Sequence, residues 1–547
     1  MSHTIVEKSL ANGLTSGREK VTAKWFGSAD ALHVEQSGIR SILERLDESC
    51  YVVRDGEGRI GLANRIGGAK LPTELESREM LATLPAFLPE QLGDPAFKKT
   101  YGLRYNYMAG AMANGIASAE LVIALGKAGM LSSFGAGGLV PQRIVEAIDK
   151  IQAGLPNGPY AFNLIHSPNE EALEREATSL FLERGIKVIE ASAFMSLTPN
   201  VVRYRAAGLS RNADGSIHIG NRIIAKISRL EVAAHFMQAP PKRMLDQLVS
   251  EGLISAEQAE LAALVPMADD ITVEADSGGH TDNRPLACLL PSIIRLRDEL
   301  QAKYQFPQVV RVGAAGGIST PESVFAAFMM GAAYVVTGSV NQACRESGTS
   351  DHVRKVLAKA GMTDIMMAPA SDMFELGVKL QVLKKGSLFG LRAQKLYDYY
   401  IQYGALEEIP EKDRQSLEKT IFKASLDEIW QECIRFFDAR DPEQIRRAEN
   451  NPKRKMALVF RWYLGLSSSW ANRGVGGREM DYQIWCGPAM GAFNQWVKGT
   501  RLEDWQQRYV ADVGEELLKG AAYLYRLQYL VMQDIQFDAI YKQVHVK

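Results

Sequence analysis

Eight short apolar segments in a regular rhythm predict an α/β fold, a (β/α)8 TIM barrel, at the centre of this 547-residue chain. The segments are readable at about 104–109, 130–134, 159–165, 186–191, 221–227, 271–275, 308–313 and 333–337. Amphipathic stretches of helical period lie between most of them, such as Ser118 to Ala128 and Gln142 to Ala153. Strands alternating with helices favour a parallel sheet covered on its outer face. The last two segments also run into glycine turns, Gly316-Gly317 and Gly338-Ser339. In such barrels the loops after the last two strands bind phosphate, because bare backbone N–H groups and a helix N-terminus face an anion there. Tight turns that need glycine only for positive φ are the alternative.

The flanking regions differ in pattern. Residues 1–100 form a mixed α/β extension, with a hairpin from Ser49 to Asn64 around Asp55-Gly56 and a loop-rich stretch marked by Pro72, Pro85, Pro89 and Pro95. The barrel occupies 101–347. Its connection after the fifth strand is too long for one helix, so a helical insertion is predicted at about 228–270, with Ser255-Ala-Glu-Gln258 as a capping box. Position alone places that insertion on the loop face, as a roof over the site together with the C-terminal helices. Residues 348–547 form a mainly helical C-terminal region, with helices read at Leu380–Tyr403, Leu426–Phe437 and Leu502–Gln533. Ser467-Ser-Ser-Trp470 and the following Asn472–Arg478 read as a flexible, basic glycine loop that could clasp a phosphate, but with no strand before it a surface turn is favoured.

Bulk composition excludes several functions. The formal net charge of -1 offers no attraction to nucleic acid or an anionic membrane. Five cysteines without a CxxC pair argue against a disulfide framework or a zinc site and fit a reducing compartment. The N-terminus lacks a signal-like apolar run, so a cytoplasmic protein is expected. No Walker lysine, GxGxxG after a first strand or metal-ligand cluster is present.

Polar residues at the strand ends mark the expected site. His280 follows Gly278-Gly279 just past the sixth strand, where barrel enzymes keep catalytic groups, and its near-neutral pKa suits proton transfer. Asp276 or Asp282 would orient the imidazole, or both are solvated loop carboxylates. Small residues at Met108-Ala109-Gly110 leave room for a flat ring, although close helix–strand packing explains them equally. Asn163 and Lys226 end the third and fifth strands. A lysine on an apolar strand needs an anionic ligand or a structural salt bridge. His166, just past the third strand, either faces the site or, as the favoured reading, does not; His235 reads as packing rather than chemistry, and Cys344 as a small buried hydrophobe.

These segments together resemble a known group. MAGAM at the first strand, AFN at the third, the lysine at the fifth, EADSGGH, AAGGI and TGS are similar to the flavin-dependent barrel enzymes. That group includes nitronate monooxygenases and one class of bacterial enoyl-acyl-carrier-protein reductases, and the likeness spans about 101–345. Over nearly the whole length the chain resembles the PfaD-type trans-acting enoyl reductases of polyunsaturated fatty acid and polyketide synthases, including SSWANRGVGGREMDYQIWCGPAMGAFN at 468–494. The resemblance implies FMN, with Gly316, Gly317, Gly338 and Ser339 around its phosphate. It implies Met108, Ala109, Gly110, Asn163, Lys226, Gly278 and Gly279 around the ring and ribityl chain, and His280 as the catalytic group. NADPH or NADH would be co-substrate, using the same open face. Acyl carrier protein domains would be partners, with a homodimer allowed and no nucleic acid or membrane. The implied activity is NAD(P)H-driven reduction of 2-enoyl thioesters. A nitronate monooxygenase-like oxidase and a non-catalytic FMN-bound scaffold are the alternatives.

Overall fold

Runs such as Ala161-Phe-Asn-Leu-Ile165 and Val188-Ile-Glu-Ala-Ser192 are too short and too rich in β-formers for helices, and each is buried almost throughout. A computed structural model describes residues 14–16, 23–64, 76–166 and 171–546. In it, eight such runs pair in parallel and close into a barrel. They are β1 (Tyr107–Ala109), β2 (Leu131–Phe134), β3 (Ala161–Ile165), β4 (Val188–Ser192), β5 (Arg222–Ile227), β6 (Asp270–Glu274), β7 (Arg311–Ala315) and β8 (Val335–Thr337). Each pairs with its sequence neighbour, and β8 pairs with β1 through Val336 opposite Met108.

The barrel interior is packed. Met108, Leu131, Ala161, Val188, Ile224 and Val336 share one buried cluster with Phe97, Tyr101 and Tyr334. Phe97 and Tyr334 stack at 4.0 Å. Within this layer Arg311 donates to both oxygens of Asp270, at 2.7 and 2.8 Å, and the Tyr101 hydroxyl donates to the same carboxylate. A second buried carboxylate, Asp269, accepts from Arg205 at 2.6 Å and Arg222 at 2.8 Å. Charges this deep persist only when every partner is present.

Barrel helices begin where the sequence caps them: the Ser118, Thr198 and Thr320 side chains accept backbone N–H groups at the starts of Ala119–Lys127, Pro199–Ala207 and Pro321–Met329. The eighth covering position is filled from far away. Val510–Val531 packs between Pro321–Met329 and Ala119–Lys127. Its Gly514 lies so close to Met130 and Tyr107, and its Gly520 to Pro321, that a Cβ at either would collide. The same helix buries Tyr523, Leu527 and Leu530 against Ile39, Leu43, Val52 and Leu81 of the N-terminal region. There the strands Lys24–Gly27, Glu76–Leu84, Cys50–Arg54 and Ile60–Ala63 form an antiparallel sheet, which contains the expected hairpin.

Three expectations are corrected. The insertion exists, and Ser255 with Gln258 forms its capping box, but it does not roof the site. Leu230–Met237 is the barrel's own fifth helix, so Lys242–Ser250 and Ala256–Ala262 grow from the connection that follows it. They pack on Pro199–Ala207 and on the strand Leu209–Arg211, next to the start of β5, and Gln258 donates to Ala207 O. Second, Lys379–Leu383 is a strand rather than the start of a helix. It sits between Ile365–Pro369 and Gly279–His280, which take up its hydrogen bonds. An apolar run this short fits either element, and only its pairing partners decide. Third, Ser467–Trp470 belongs to the 22-residue helix Pro452–Arg473, which ends at Gly474 with φ 66°. The basic glycine turn begins only beyond it. Among the described residues no helix is long and apolar enough to cross a membrane.

Arg311→Leu would strand the Asp270 carboxylate beneath the barrel. We expect it to cost about 3–5 kcal/mol, seen as a clear fall in the urea midpoint of the far-UV circular dichroism.

Candidate active site

All eight strands present their carboxyl ends to one face, and a cavity of about 1230 Å³ opens there. Its floor includes Gly110 after β1, Asn163 on β3, Lys226 on β5, Glu274 on β6, Gly316 and Gly317 after β7, and Gly338 and Ser339 after β8. Its roof comes from beyond residue 370, with Asp372, Leu380, Arg461, Ser468, Asn472 and Trp485 contributing.

The glycine turns divide by function. Gly316 has φ 85°, and a Cβ there would strike the Ala275 backbone at 2.6 Å, so this glycine is required by the fold. A Cβ at Gly317 or Gly338 would meet no protein atom within 4 Å. Two adjacent strand ends thus leave bare backbone facing open space, a cradle that side chains would fill and that suits a phosphate. Gly278 is explained by packing, since its Cβ would lie 2.9 Å from the Cys486 backbone.

Charge is concentrated on three neighbouring strands. Lys226 Nζ lies 3.2 Å from Glu274 Oε1. Burial pulls the ammonium down, but Glu274 and Glu190 outweigh it and hold Lys226 above its ordinary range. Glu190 on β4 is fully buried and accepts from Ala111 N at 2.7 Å, while its Oε1 has no hydrogen-bond partner. Burial raises its carboxyl despite Lys226. Asn163 donates to Glu190 O and Ser192 Oγ, which fixes its amide at the floor. The salt-bridge alternative for Lys226 is therefore present, and the same lysine also lines the cavity.

His280 stands at the rim, with its side chain 45% exposed, and its Nε2 lies 3.1 Å from Asp372 Oδ1. Burial would lower its pKa, but the Asp372 carboxylate reverses this and raises it above the usual histidine range. Asp372 is held below the ordinary carboxylate range by the same contact, against the opposing effect of burial. The expected orienting residues do other work. Asp276 accepts from Asn283 and Gln381, and Asp282 pairs with Arg229 and Ser228.

Ten of the twelve predicted site residues line this cavity: Gly110, Asn163, Lys226, Gly278, Gly279, His280, Gly316, Gly317, Gly338 and Ser339. Met108 and Ala109 do not. Met108 points into the packed barrel interior, and Ala109 joins the layer between strands and helices. Sequence reasoning missed Glu190, although a carboxylate in Val-Ile-Glu-Ala-Ser is as anomalous as Lys226 on β5. It also missed Asp372, which had no local signal. His166 faces the cavity, the less favoured of its two readings, with its Nδ1 2.7 Å from Glu174 Oε2. Cys344 is fully buried, as expected of a small hydrophobe.

Comparison with known proteins agrees with this geometry. Residues 96–387 match the nitronate monooxygenase family model. Residues 25–86 match the N-terminal domain of the fatty acid synthase component PfaD. This chain belongs to the nitronate monooxygenase family, in its PfaD branch. Another match was not foreseen: residues 403–482 correspond to the inserted helical domain of [acyl-carrier-protein] S-malonyltransferase. One of the polyunsaturated fatty acid synthase subunits of Thraustochytrium sp. is 52% identical over 92% of this PfaD-type chain and 33% of its own length. Polyketide biosynthesis protein PksE of Bacillus subtilis is 48% identical over 82% of this chain and 58% of its own. The chain thus spans about a third of the first relative and over half of the second. The crystal structure of the enoyl reductase domain of MlnA, from the macrolactin cluster of Bacillus amyloliquefaciens, superposes with a TM-score of 0.78. It is 42% identical and covers 81% of this chain and 99% of that domain.

Asp372→Asn removes the carboxylate that raises His280, leaving burial to dominate. The imidazole should then titrate at lower pH than in the parent protein, which ¹H–¹³C NMR of the His280 ring would show. An unchanged titration would mean that Asp372 does not set the charge of His280.

Proposed function

We propose that this chain is an FMN-dependent enoyl reductase that uses NAD(P)H to reduce 2-enoyl thioesters on acyl carrier protein domains of a polyunsaturated fatty acid or polyketide synthase. The observation that carries the reading is the cavity itself: the open glycine cradle, Lys226 and the His280–Asp372 pair face one space, in a chain similar over 99% of the MlnA enoyl reductase domain. Its relatives' roles in polyunsaturated fatty acid synthases and polyketide biosynthesis support the carrier-bound substrate. A cytoplasmic location fits the same reading.

The residues suit FMN. Backbone at Gly317 and Gly338 would hold the phosphate, and Asn163 and Lys226 would meet the polar edge of the ring and ribityl chain. When bound, the flavin supplies two-electron chemistry, taking hydride from NAD(P)H and giving it to the β-carbon of the enoyl group. The protein must deliver the matching proton to the α-carbon. His280 is the candidate donor. Asp372 keeps its ring protonated at higher pH than a free histidine, so the proton-dependent step should hold at neutral pH and fail as pH rises through that raised pKa.

His280→Ala should slow reoxidation of reduced enzyme by crotonyl thioester about 10²–10⁴-fold while leaving reduction by NADPH nearly unchanged, as stopped-flow absorbance would record. Equal slowing of both half-reactions would make His280 a shared binding contact. Rapid reoxidation by a nitroalkane but not by the enoyl thioester would replace the reductase with an oxidase.

Gly317→Val and Gly338→Ala should each weaken FMN binding by about tenfold or more, a cost of about 1.4 kcal/mol. Gly338 has φ -134°, outside the left-handed region that Gly317 occupies, so loss there reports the ligand's space more directly than loss at Gly317. Full flavin content in purified Gly338→Ala protein, read from its visible spectrum, would place the phosphate elsewhere.

A further inference from the structure

The cavity extends further than the cradle and His280 require. Those groups lie at the ends of β6, β7 and β8, whereas the lining continues across the barrel mouth to the helices that follow β2 and β3. On that side Leu173 and Leu180 face the cavity from Glu171–Glu183, at the i and i+7 positions of one helical stripe. Ile144 joins them from Pro141–Gly154. Overhead, the roof helix Pro452–Arg473 contributes Leu458, Trp462 and Leu466, again on one stripe, and then Ser469, Asn472 and Arg473. Ser468 accepts from Asn114 Nδ2 at 3.0 Å, which pins the polar end of that helix to the loop after β1. The helix therefore presents polar residues near the barrel mouth and apolar ones further out.

We propose that this outer arm is a subsite for the aliphatic tail of the acyl group, so that the substrate class is a medium- or long-chain 2-enoyl thioester. The inference rests on the enoyl reductase reading. Facing rows of leucine with Ile144 and Trp462 leave an apolar gap that water fills at a cost, which a hydrocarbon removes. Arg143, Glu176, Glu432 and Arg461 also reach the cavity on this side, but Glu432 accepts from Trp462 Nε1 and Arg461 pairs with Glu375. The apolar stripe between them therefore suits a hydrocarbon better than the amides of a pantetheine arm or the phosphates of a dinucleotide. The exposed Val140 and Phe436 flank the cavity on this side, each 53% accessible. The arm therefore opens outward rather than ending in a wall, and it sets a preference for length rather than a ceiling. The roof half of the arm falls within the segment similar to the malonyltransferase helical domain.

The test uses FMN-loaded enzyme with crotonyl, 2-octenoyl and 2-dodecenoyl thioesters of coenzyme A. kcat/KM should rise with length, by up to about fourfold per buried methylene. Leu180→Trp and Leu466→Trp, at partly buried positions on opposite sides of the arm, should abolish that rise and leave crotonyl reduction unchanged. Equal kcat/KM for all three chains in the parent enzyme, or equal losses on all three in both variants, would overturn the subsite. Absence of any enoyl turnover would instead sink the reductase reading. Calorimetric binding of dodecanoyl-coenzyme A then still decides the arm: binding lost in Leu180→Trp supports it, and no binding to the parent enzyme refutes it.

Discussion

A closed parallel barrel must be covered on its outer face along every strand, and this chain meets that demand at its last position with a helix borrowed from its far end. Val510–Val531 lies against Pro321–Met329 and Ala119–Lys127, with Gly514 and Gly520 permitting the close approach. Between β8 and this helix the chain has a long excursion to make. It spends that length over the carboxyl ends of the strands. The segment leaves and rejoins the wall at one place, where Arg345 N donates to Arg508 O, and because that place is at the mouth the length between them builds the roof of the cavity.

The same route ties the remaining parts together. Leaving the barrel wall, the closing helix buries Tyr523, Leu527 and Leu530 in the N-terminal sheet layer, and Ile535–Phe537 pairs with Leu14–Ser16. Buried Arg526 donates to Glu48 O at 3.0 Å in that interface. The closing helix thus joins the barrel wall to the N-terminal sheet. Beneath the mouth, the two buried carboxylates Asp269 and Asp270 are held by Arg205, Arg222 and Arg311, which fixes β5, β6 and β7 relative to one another. Those strands carry Lys226, Glu274 and the Gly316-Gly317 turn.

Electrostatics at the mouth follow from burial. An ammonium on β5 is tolerable because Glu274 and Glu190 stand on either side of it, and a buried Glu190 is tolerable because of that ammonium and the Ala111 N–H. His280 differs in kind. It sits on a two-residue strand that the roof sheet captures through Leu380 and Gln381, so one element both orients the histidine and brings Asp372 within reach. Barrel and roof act together at that point.

The barrel, its eight strands, the insertion and most of the cavity floor were legible in the sequence because each rests on local pattern: apolar period, glycine at strand ends, and a lone polar residue such as Lys226 or His280 in the right place. Tertiary structure decided what depends on distant partners. Met108 and Ala109 carry no mark of which way they face, and the pleat turned them into packing. The insertion was expected at the mouth, but a barrel helix comes first and carries the chain to the other end. Lys379–Leu383 became a strand only because two neighbours were there to accept it. Asp372, 92 residues from His280, meets it only after the roof folds. Local rules thus determined the scaffold, and the long return of the chain to cover its own barrel decided which residues share the site.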